Sequence, residues 1–465
     1  MIRHFPVRFQ RLYAVAALFC SFAVAVPARA QFETRATHSL QGETTAVAVG
    51  DFNHDGKLDI AATAGSSLSI LLGNGDGTFR APINYPGVFY SIAVADFNND
   101  GNLDIVVAPD ADSISVFLGN GDGTFQPPIS SPTTYGAGFI AVGDFNGDHK
   151  MDLVIADYTE ISVLLGNGNG TFQAPINNSS FAGPGELAVG DFNNDHLLDV
   201  VVVGGFGNDS GVGVLLGNGD GTLQDAITYP LSVTTESIAV GAFRRGGNLD
   251  LAIGTGLDAG VLVLLGNGDG SFQPPKTYPG GSFPVIVGDF NGDGKLDLVA
   301  GALSGGGVAE FLGTGNGTFQ AEKTYLSGNG ILAVTGDLNG DGKLDAVLLD
   351  ANHDTITTML NTGALAFSPT TPLSFGGQLI GTTSKPQIVT IRNTGSRAIS
   401  FHSLRASGPF EATDTCGGAI AAGAACKISA TFTPTKAGSQ GGEITIIDSA
   451  SSKAQYIELS GAGKE

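Results

Sequence analysis

Asp51 to Asp59 reads DFNHDGKLD, and this nonapeptide decides the fold because the chain repeats it. DFNNDGNLD begins at Asp96, DFNGDHKMD at Asp144, DFNNDHLLD at Asp191, DFNGDGKLD at Asp289 and DLNGDGKLD at Asp337, and a degenerate copy, AFRRGGNLD, begins at Ala242. The starts lie 45 to 51 residues apart. Each of the seven units carries a second phrase, such as LLGNGDGTF at Leu71 to Phe79. A fixed period of this length is the mark of a repeat architecture and has to be read before anything else.

Within a unit the pattern is strand-like throughout. An alternating run (AVAV, SIAV, FIAV) precedes the Asp phrase, a nearly continuous apolar run (LDIAATA, LDIVVAP, LDVVVVG) follows it, a third leads into the glycine phrase and a fourth leaves it. Continuous apolarity in the second run implies burial on both faces, as in the middle of a blade packed between other blades. Four antiparallel strands per period stack radially into a propeller, which leaves only short protected edges. Phe32 to Leu40 resembles a fourth strand yet precedes the first unit, so it is expected to complete the last blade. The expected fold is all-β: a seven-bladed β-propeller over 31–366, followed by an immunoglobulin-like β-sandwich over 367–465.

In DxNxDGxxD, side-chain oxygens at positions 1, 3 and 5, the carbonyl at 7 and the carboxylate at 9 can converge on one hard cation. Candidate ligands are Asp51, Asn53, Asp55 and Asp59; Asp96, Asn98, Asp100 and Asp104; Asp144, Asn146, Asp148 and Asp152; Asp191, Asn193, Asp195 and Asp199; Asp289, Asn291, Asp293 and Asp297; and Asp337, Asn339, Asp341 and Asp345. An EF-hand needs Glu at position 12, where these copies have Ala62, Val107, Ile155, Val202, Ala300 and Leu348. Plain Asx-turns are the alternative, since Asp and Asn favour turns without metal. Three carboxylates within nine residues repel one another unless a cation intervenes, which favours calcium, about six ions per chain. The fifth unit, with Ala242, Arg244 and Gly246 in place of ligands, is expected to lack an ion, with Arg244 or Arg245 replacing its charge.

This arrangement resembles the FG-GAP or VCBS repeat family, whose best-known members form the N-terminal propeller of integrin α subunits. The resemblance covers residues 32 to 366 and implies a structural calcium role for the loops. Units three and four depart from it, with His149 and His196 at the glycine position.

The first thirty residues read as a secretory signal, 1–30: Arg3, Arg8 and Arg11, an apolar run from Leu12 to Val26, then Ala28-Arg29-Ala30 as a cleavage site. The apolar run is shorter than the roughly 20 residues that span a bilayer, so no membrane insertion is expected after cleavage. The mature chain would carry 18 basic against 44 acidic side chains, a formal charge of −26 against −22 for the whole. Nucleic acid and anionic membranes are poor partners for such a surface. GNGDGT is no dinucleotide fingerprint, because a strand and not a helix follows it. No nucleophile, base and acid set is evident, and the chain is not expected to be an enzyme.

Loops joining strands 1–2 and 3–4 share one end of an up-and-down propeller, so the Asp and glycine phrases form one nearly uniform face. The opposite loops differ from unit to unit (APDADS, ADYTE, LDANHDT), which makes that face the candidate for recognition. Tyrosines are expected there: packing is the reading for Tyr85, Tyr229, Tyr278 and Tyr325, while Tyr90, Tyr135 and Tyr158 are candidate ligand contacts, with Asp110, Asp112 and Asp157 beside them. No propeller Lys or Arg falls in those loops.

From Ser368 the period stops and short strands at roughly ten-residue spacing suggest a sandwich. The phrases IRNTG and FTPTKAG resemble the ASH or Hydin-like immunoglobulin-fold domains, also known as choice-of-anchor D. Cys416 and Cys426 are the only cysteines after signal cleavage and are expected to pair in an oxidising compartment. The expected protein is secreted, or periplasmic or surface-associated in a bacterium: a calcium-binding adhesion or binding module for an extracellular protein or neutral glycan. A lectin for neutral glycans is the alternative, and a polysaccharide lyase or glycosidase the third reading.

Overall fold

The computed structural model describes residues 32–40, 42–109, 112–133, 138–157, 159–204, 211–256, 260–291, 294–301, 307–326, 331–340, 342–350, 354–361, 365–368, 373–393, 398–421, 423–448 and 455–465. Thr44–Gly50, Asp59–Ala64, Ser67–Leu71 and Ile83–Pro86 pair in that order as the first antiparallel blade. Blades two to six repeat the order, their first strands being Phe89–Ala95, Phe139–Gly143, Pro184–Gly190, Thr235–Gly241 and Ser282–Gly288. The seventh takes three strands from its own unit, Ile331–Gly336, Asp345–Asp350 and Thr355–Asn361. Its fourth strand is Phe32–Ser39, with Phe32 opposite Asn361 and Ser39 opposite Thr355. First strands lie against one another around the ring, and that of blade seven lies against that of blade one, so the propeller is closed about an axis lined by first strands.

The second strands carry the burial that their apolar runs require: Asp59–Ala64 and Asp152–Ala156 are buried at every residue. Between blades, the phenyl ring at position 2 of the Asp phrase meets the one ending the next unit's glycine phrase. Phe52 faces Phe125, Phe97 faces Phe172, Phe192 faces Phe272 and Phe243 faces Phe319, with centroids 5.1 to 6.0 Å apart. Such aromatic pairs add about 0.5–1.5 kcal/mol beyond their buried area.

A hydrogen-bonded clasp runs beside those rings. Gly123 N–H donates to the Phe52 carbonyl of the preceding blade, and Gly170, Gly221, Gly270 and Gly317 repeat the bond to Phe97, Phe145, Phe192 and Phe243; Gly77 joins blade one to Leu338 of blade seven. In unit seven the second phrase is degenerate, with Asn361 where the other units have its first glycine, and there the Asn361 side-chain amide donates to the Phe290 carbonyl. The seven clasps measure 2.7 to 3.2 Å and close the ring without a gap.

Leu365–Ser368 is the first strand of the second unit, so the boundary falls between Asn361 and Leu365, slightly ahead of the expected residue 366. That strand pairs with Gln387–Asn393, which continues through Ala425–Phe432 to Phe410–Asp414. The facing sheet runs Leu373–Leu379, Gln455–Lys464, Gly438–Asp448, Ile399–Ala406 and Ala419–Ile420. Val389, Ile391, Ile428, Phe432, Ile444 and Ile446 fill the space between them. Cys416 and Cys426, both buried in this core, are joined by a disulfide.

Candidate functional site

Each Asp phrase leaves the first strand of its blade as a tight loop whose amides turn inward. In the first unit, Asp55 N–H donates to Asp51 Oδ1 and Asn53 Oδ1 at 3.1 and 2.9 Å, Gly56 N–H to Asp51 Oδ2 at 2.9 Å, and Lys57 N–H to Asp55 Oδ1 at 3.0 Å. The bond from position 6 to the carboxylate at position 1 recurs in all six acidic units, at 2.8 to 3.0 Å. Position 6 is left-handed, which glycine adopts without cost; His149 and His196 take it too, with φ of 62° and 67°. The histidine units therefore keep the loop shape at the expense of some backbone strain. Asp293 and Asp341 lie outside the described residues.

Position 9 does something the repeat alone does not reveal. Asp59 is fully buried, its Oδ2 accepts the Phe52 N–H and its Oδ1 the Gly73 N–H. Asp104, Asp152, Asp199, Asp250, Asp297 and Asp345 make the same pair of bonds, and all fourteen fall between 2.7 and 3.1 Å. This carboxylate staples the Asp loop to the following glycine phrase within the blade. The first glycine of that phrase has no room for a Cβ, because the Leu58 carbonyl occupies the place. That close approach, not phosphate binding, explains GNGDGT.

The fit of a hard cation rests on the donor chemistry. The first unit offers Asp51, Asn53, Asp55, the Lys57 carbonyl and the second lone pairs of Asp59, an all-oxygen set. Burial raises the Asp59 pKa above the ordinary carboxylate value; the two amide bonds oppose this, and the charges of Asp55 and Asp51 add to it. Asp152 and Asp199 are raised in the same way, and Asp104 is pushed up to about 6. Negative charge thus gathers around each buried carboxylate. Among the described residues no three carboxylate or imidazole groups form a cage by themselves, so the amide and carbonyl oxygens are needed to complete a shell.

The fifth unit solves the same electrostatic problem with protein atoms. Arg244, at position 3, bonds Asp250 Oδ1 at 2.6 Å and the Gly266 carbonyl at 2.5 Å. A guanidinium stands where the other six units present an amide oxygen.

On the opposite face the candidate residues separate. Tyr90 is 48% exposed. Asp157 is buried, and its Oδ1 caps its own turn by accepting the Thr159 and Glu160 N–H groups and the Thr159 hydroxyl. Asp112 is exposed. Asp110, Tyr135, Tyr158 and the signal segment 1–30 lie outside the described residues. Tyr85 and Tyr278 do not belong to that face: their hydroxyls accept the Phe125 and Phe319 N–H groups of the next blade, and their rings pack edge-on against the same phenylalanines. Tyr229 packs on Phe272.

The FG-GAP-like repeat matches residues 51–107, 96–155, 144–202, 243–300 and 289–348. The chain belongs to the FG-GAP-like repeat family. Residues 354–462 match the HYDIN/CFA65/VesB-like, Ig-like domain. No curated protein matches the chain. Among solved structures, BBS1N in complex with ARL6DN is similar at 13% identity and a TM-score of 0.51, over 71% of this chain and 96% of that one. An Agrocybe aegerita lectin recognising non-reducing terminal N-acetylglucosamine aligns at 19% identity and a TM-score of 0.49, over 69% of this chain and 86% of its own. The ASH/PapD-like domain 7 of human CEP192 aligns at 18% identity and a TM-score of 0.18, over 22% and 86%. The FG-GAP matches cover both acidic and degenerate loops, and the BBS1N likeness supports the propeller fold alone.

Proposed function

We propose that this FG-GAP protein is an exported, calcium-stabilised binding module that recognises an extracellular protein or glycan and catalyses no reaction. The observation that carries this reading is the contrast between its two ends: six acidic loops of one shape at one end, connections of differing sequence and length at the other. In the Asp loops, positions 1, 3, 5 and 9 with the carbonyl at 7 would hold the cation, which supplies the positive charge that Arg244 supplies in the fifth unit. Its role is structural: the loop it would fix carries the carbonyl that clasps the next blade.

The signal-like N-terminus and the Cys416–Cys426 disulfide support export to an oxidising compartment. Calcium content and thermal unfolding of the mature chain, with and without chelator, test the metal. About six ions and a large drop in Tm on chelation are expected. Extracellular protein and neutral-glycan arrays probed with and without calcium test the binding role. Calcium-independent silence on both arrays would overturn it, and a signal confined to the glycan array would favour the lectin reading, for which exposed Tyr90 and Phe139 are suitable stacking faces.

A further inference from the structure

The phrase FTPTKAG, Phe432 to Gly438, joins two strands of the second unit, Ala425–Phe432 and Gly438–Asp448. Its backbone is tied down on several sides. Thr433 N–H donates to the Pro409 carbonyl and Gly381 N–H to the Pro434 carbonyl, both at 2.9 Å, and the buried Gln440 amide donates to the Lys436 carbonyl at 2.7 Å. Beside this turn lies a cleft of about 470 Å³, lined by Thr435 and Lys436, by the start of strand Gly438–Asp448, and by Gly408 with Pro409. That volume is within the range of ligand clefts.

The cleft opens onto an unfinished sheet edge. Strand Gly438–Asp448 pairs with Gln455–Lys464 from Gly438 to Ile446, but with Ile399–Ala406 from Ile444 to Asp448 alone. One further exchange, Ser407 N–H to the Glu443 carbonyl and Glu443 N–H to the Ser407 hydroxyl, each at 2.9 Å, ends the second pairing. Gly408, with φ of 69°, and Pro409 then carry the chain to the facing sheet. Since Glu443 turns its N–H and C=O to this side, the alternation of an antiparallel ladder turns those of Gly441 and Ser439 the same way. Gly408 covers the Gly441 carbonyl, which a Cβ on Gly408 would meet at 2.8 Å. The Gly441 N–H and both backbone groups of Ser439 are left, in exposed residues. Donor, acceptor and donor in a row make an edge onto which a further strand pairs.

Charge selects the occupant. Lys436 is exposed and makes no ion pair among the described residues. Thr435 and Ser439 add hydroxyls, and the Gln440 amide oxygen is met by the Thr435 hydroxyl at a long 3.5 Å. Glu443, the acid on this strand, stands at the end that Ser407 already closes. The open end is therefore rich in donors and positive, which suits a carboxylate.

We propose that an extended segment of a partner polypeptide adds to the Ser439–Gly441 edge as a strand and places an aspartate or glutamate on Lys436. Ser439 exchanges both backbone bonds with one residue of the segment, and the Gly441 N–H takes a second carbonyl. The acid lies toward Lys436 and away from Glu443. The site belongs to the second unit and stands whether or not the propeller binds a partner.

The test follows labelled, capped Thr-Val-Asp-Val-Thr, and the same peptide with asparagine for aspartate, by fluorescence anisotropy on the mature full chain. The aspartate peptide is expected to bind about tenfold more tightly, and to slow hydrogen exchange across residues 437–444. Lys436→Gln should bring its affinity down to that of the asparagine peptide and leave the latter unchanged. Gly441→Pro, which removes an edge N–H that bonds nothing in the free protein, should lose both peptides. Lys427→Gln, in the facing sheet, should alter neither. Absence of binding, equal affinity for the two peptides, or indifference to Gly441→Pro in a variant of unchanged Tm overturns the assignment. If no peptide binds and Lys436→Gln makes the chain self-associate in sedimentation, the lysine guards the edge against a second copy, and the proposal falls.

Discussion

The loops at Asp191–Asp199 and Ala242–Asp250 occupy the same place in adjacent blades and share only the phenylalanine at position 2 and the final Leu-Asp. The first has Asp, Asn and Asp at positions 1, 3 and 5; the second has Ala, Arg and Gly. Both nevertheless place the last Asp at zero exposure with the same two amide bonds, and both pass a carbonyl to a glycine of the next blade. The comparison separates two jobs folded into one motif. Position 9 bonds the Asp loop to the glycine phrase in both, while positions 1 to 5 differ in charge: two carboxylates and an amide in one unit, a guanidinium beside the buried carboxylate in the other.

Removing metal should have the largest effect and should spare the fifth blade. Each site occupied at a hundredfold over its Kd contributes about 2.7 kcal/mol, so chelation is expected to lower Tm by well over ten degrees. Hydrogen exchange of the Leu251 and Ile253 amides should respond least to chelation; equal responses in all blades would erase the distinction.

Asp199→Ala and Asp250→Ala come next. Each orphans two buried N–H groups at about 1–3 kcal/mol apiece, so both should cost roughly 3–5 kcal/mol in urea unfolding. A cost below about 1 kcal/mol for Asp250→Ala would show that the shared job is not structural.

Arg244→Met should cost about 2 kcal/mol, less than a fully buried pair because the arginine is partly exposed. Ala242→Asp, Arg244→Asn and Gly246→Asp made together should restore the missing ligands and raise calcium stoichiometry by one. Unchanged stoichiometry would mean that the loop backbone, whose Gly246 has φ of 139°, has itself diverged.

The smallest effect concerns His38 in the closing strand, whose pKa burial holds below the ordinary 6.5. The unfolded chain gains this proton before the folded one does, so the contribution is present above pH 6.5 and lost as pH falls through the folded value. The unfolding free energy of the wild type, from urea titration, should drop between pH 7.5 and 5.5 slightly more than that of His38→Gln, by less than about 1 kcal/mol.

The fold was legible because its determinants are periodic: the Asp phrase counts blades, the apolar second run marks middle strands, and the stray strand at Phe32 announces closure. The staple was not, because Asp59 reads as one more acid in an acidic loop, and only three-dimensional proximity shows Phe52 and Gly73 aiming amides at it. Tyr85 and Tyr278 were placed at the right strand, but their length carries the hydroxyl across the blade interface, a direction that position does not encode.

The strand Phe32–Ser39 gives synthesis and assembly opposite orders. This segment is made before the seven units, yet its partner Thr355–Asn361 is the last strand of the propeller to be made. Until then the early blades stand as an open arc with exposed edges, and the longest loop in the domain must close in the final step. A chain interrupted before Asn361 therefore yields no smaller propeller, only an arc with unpaired strands at both ends, a natural target for proteolysis.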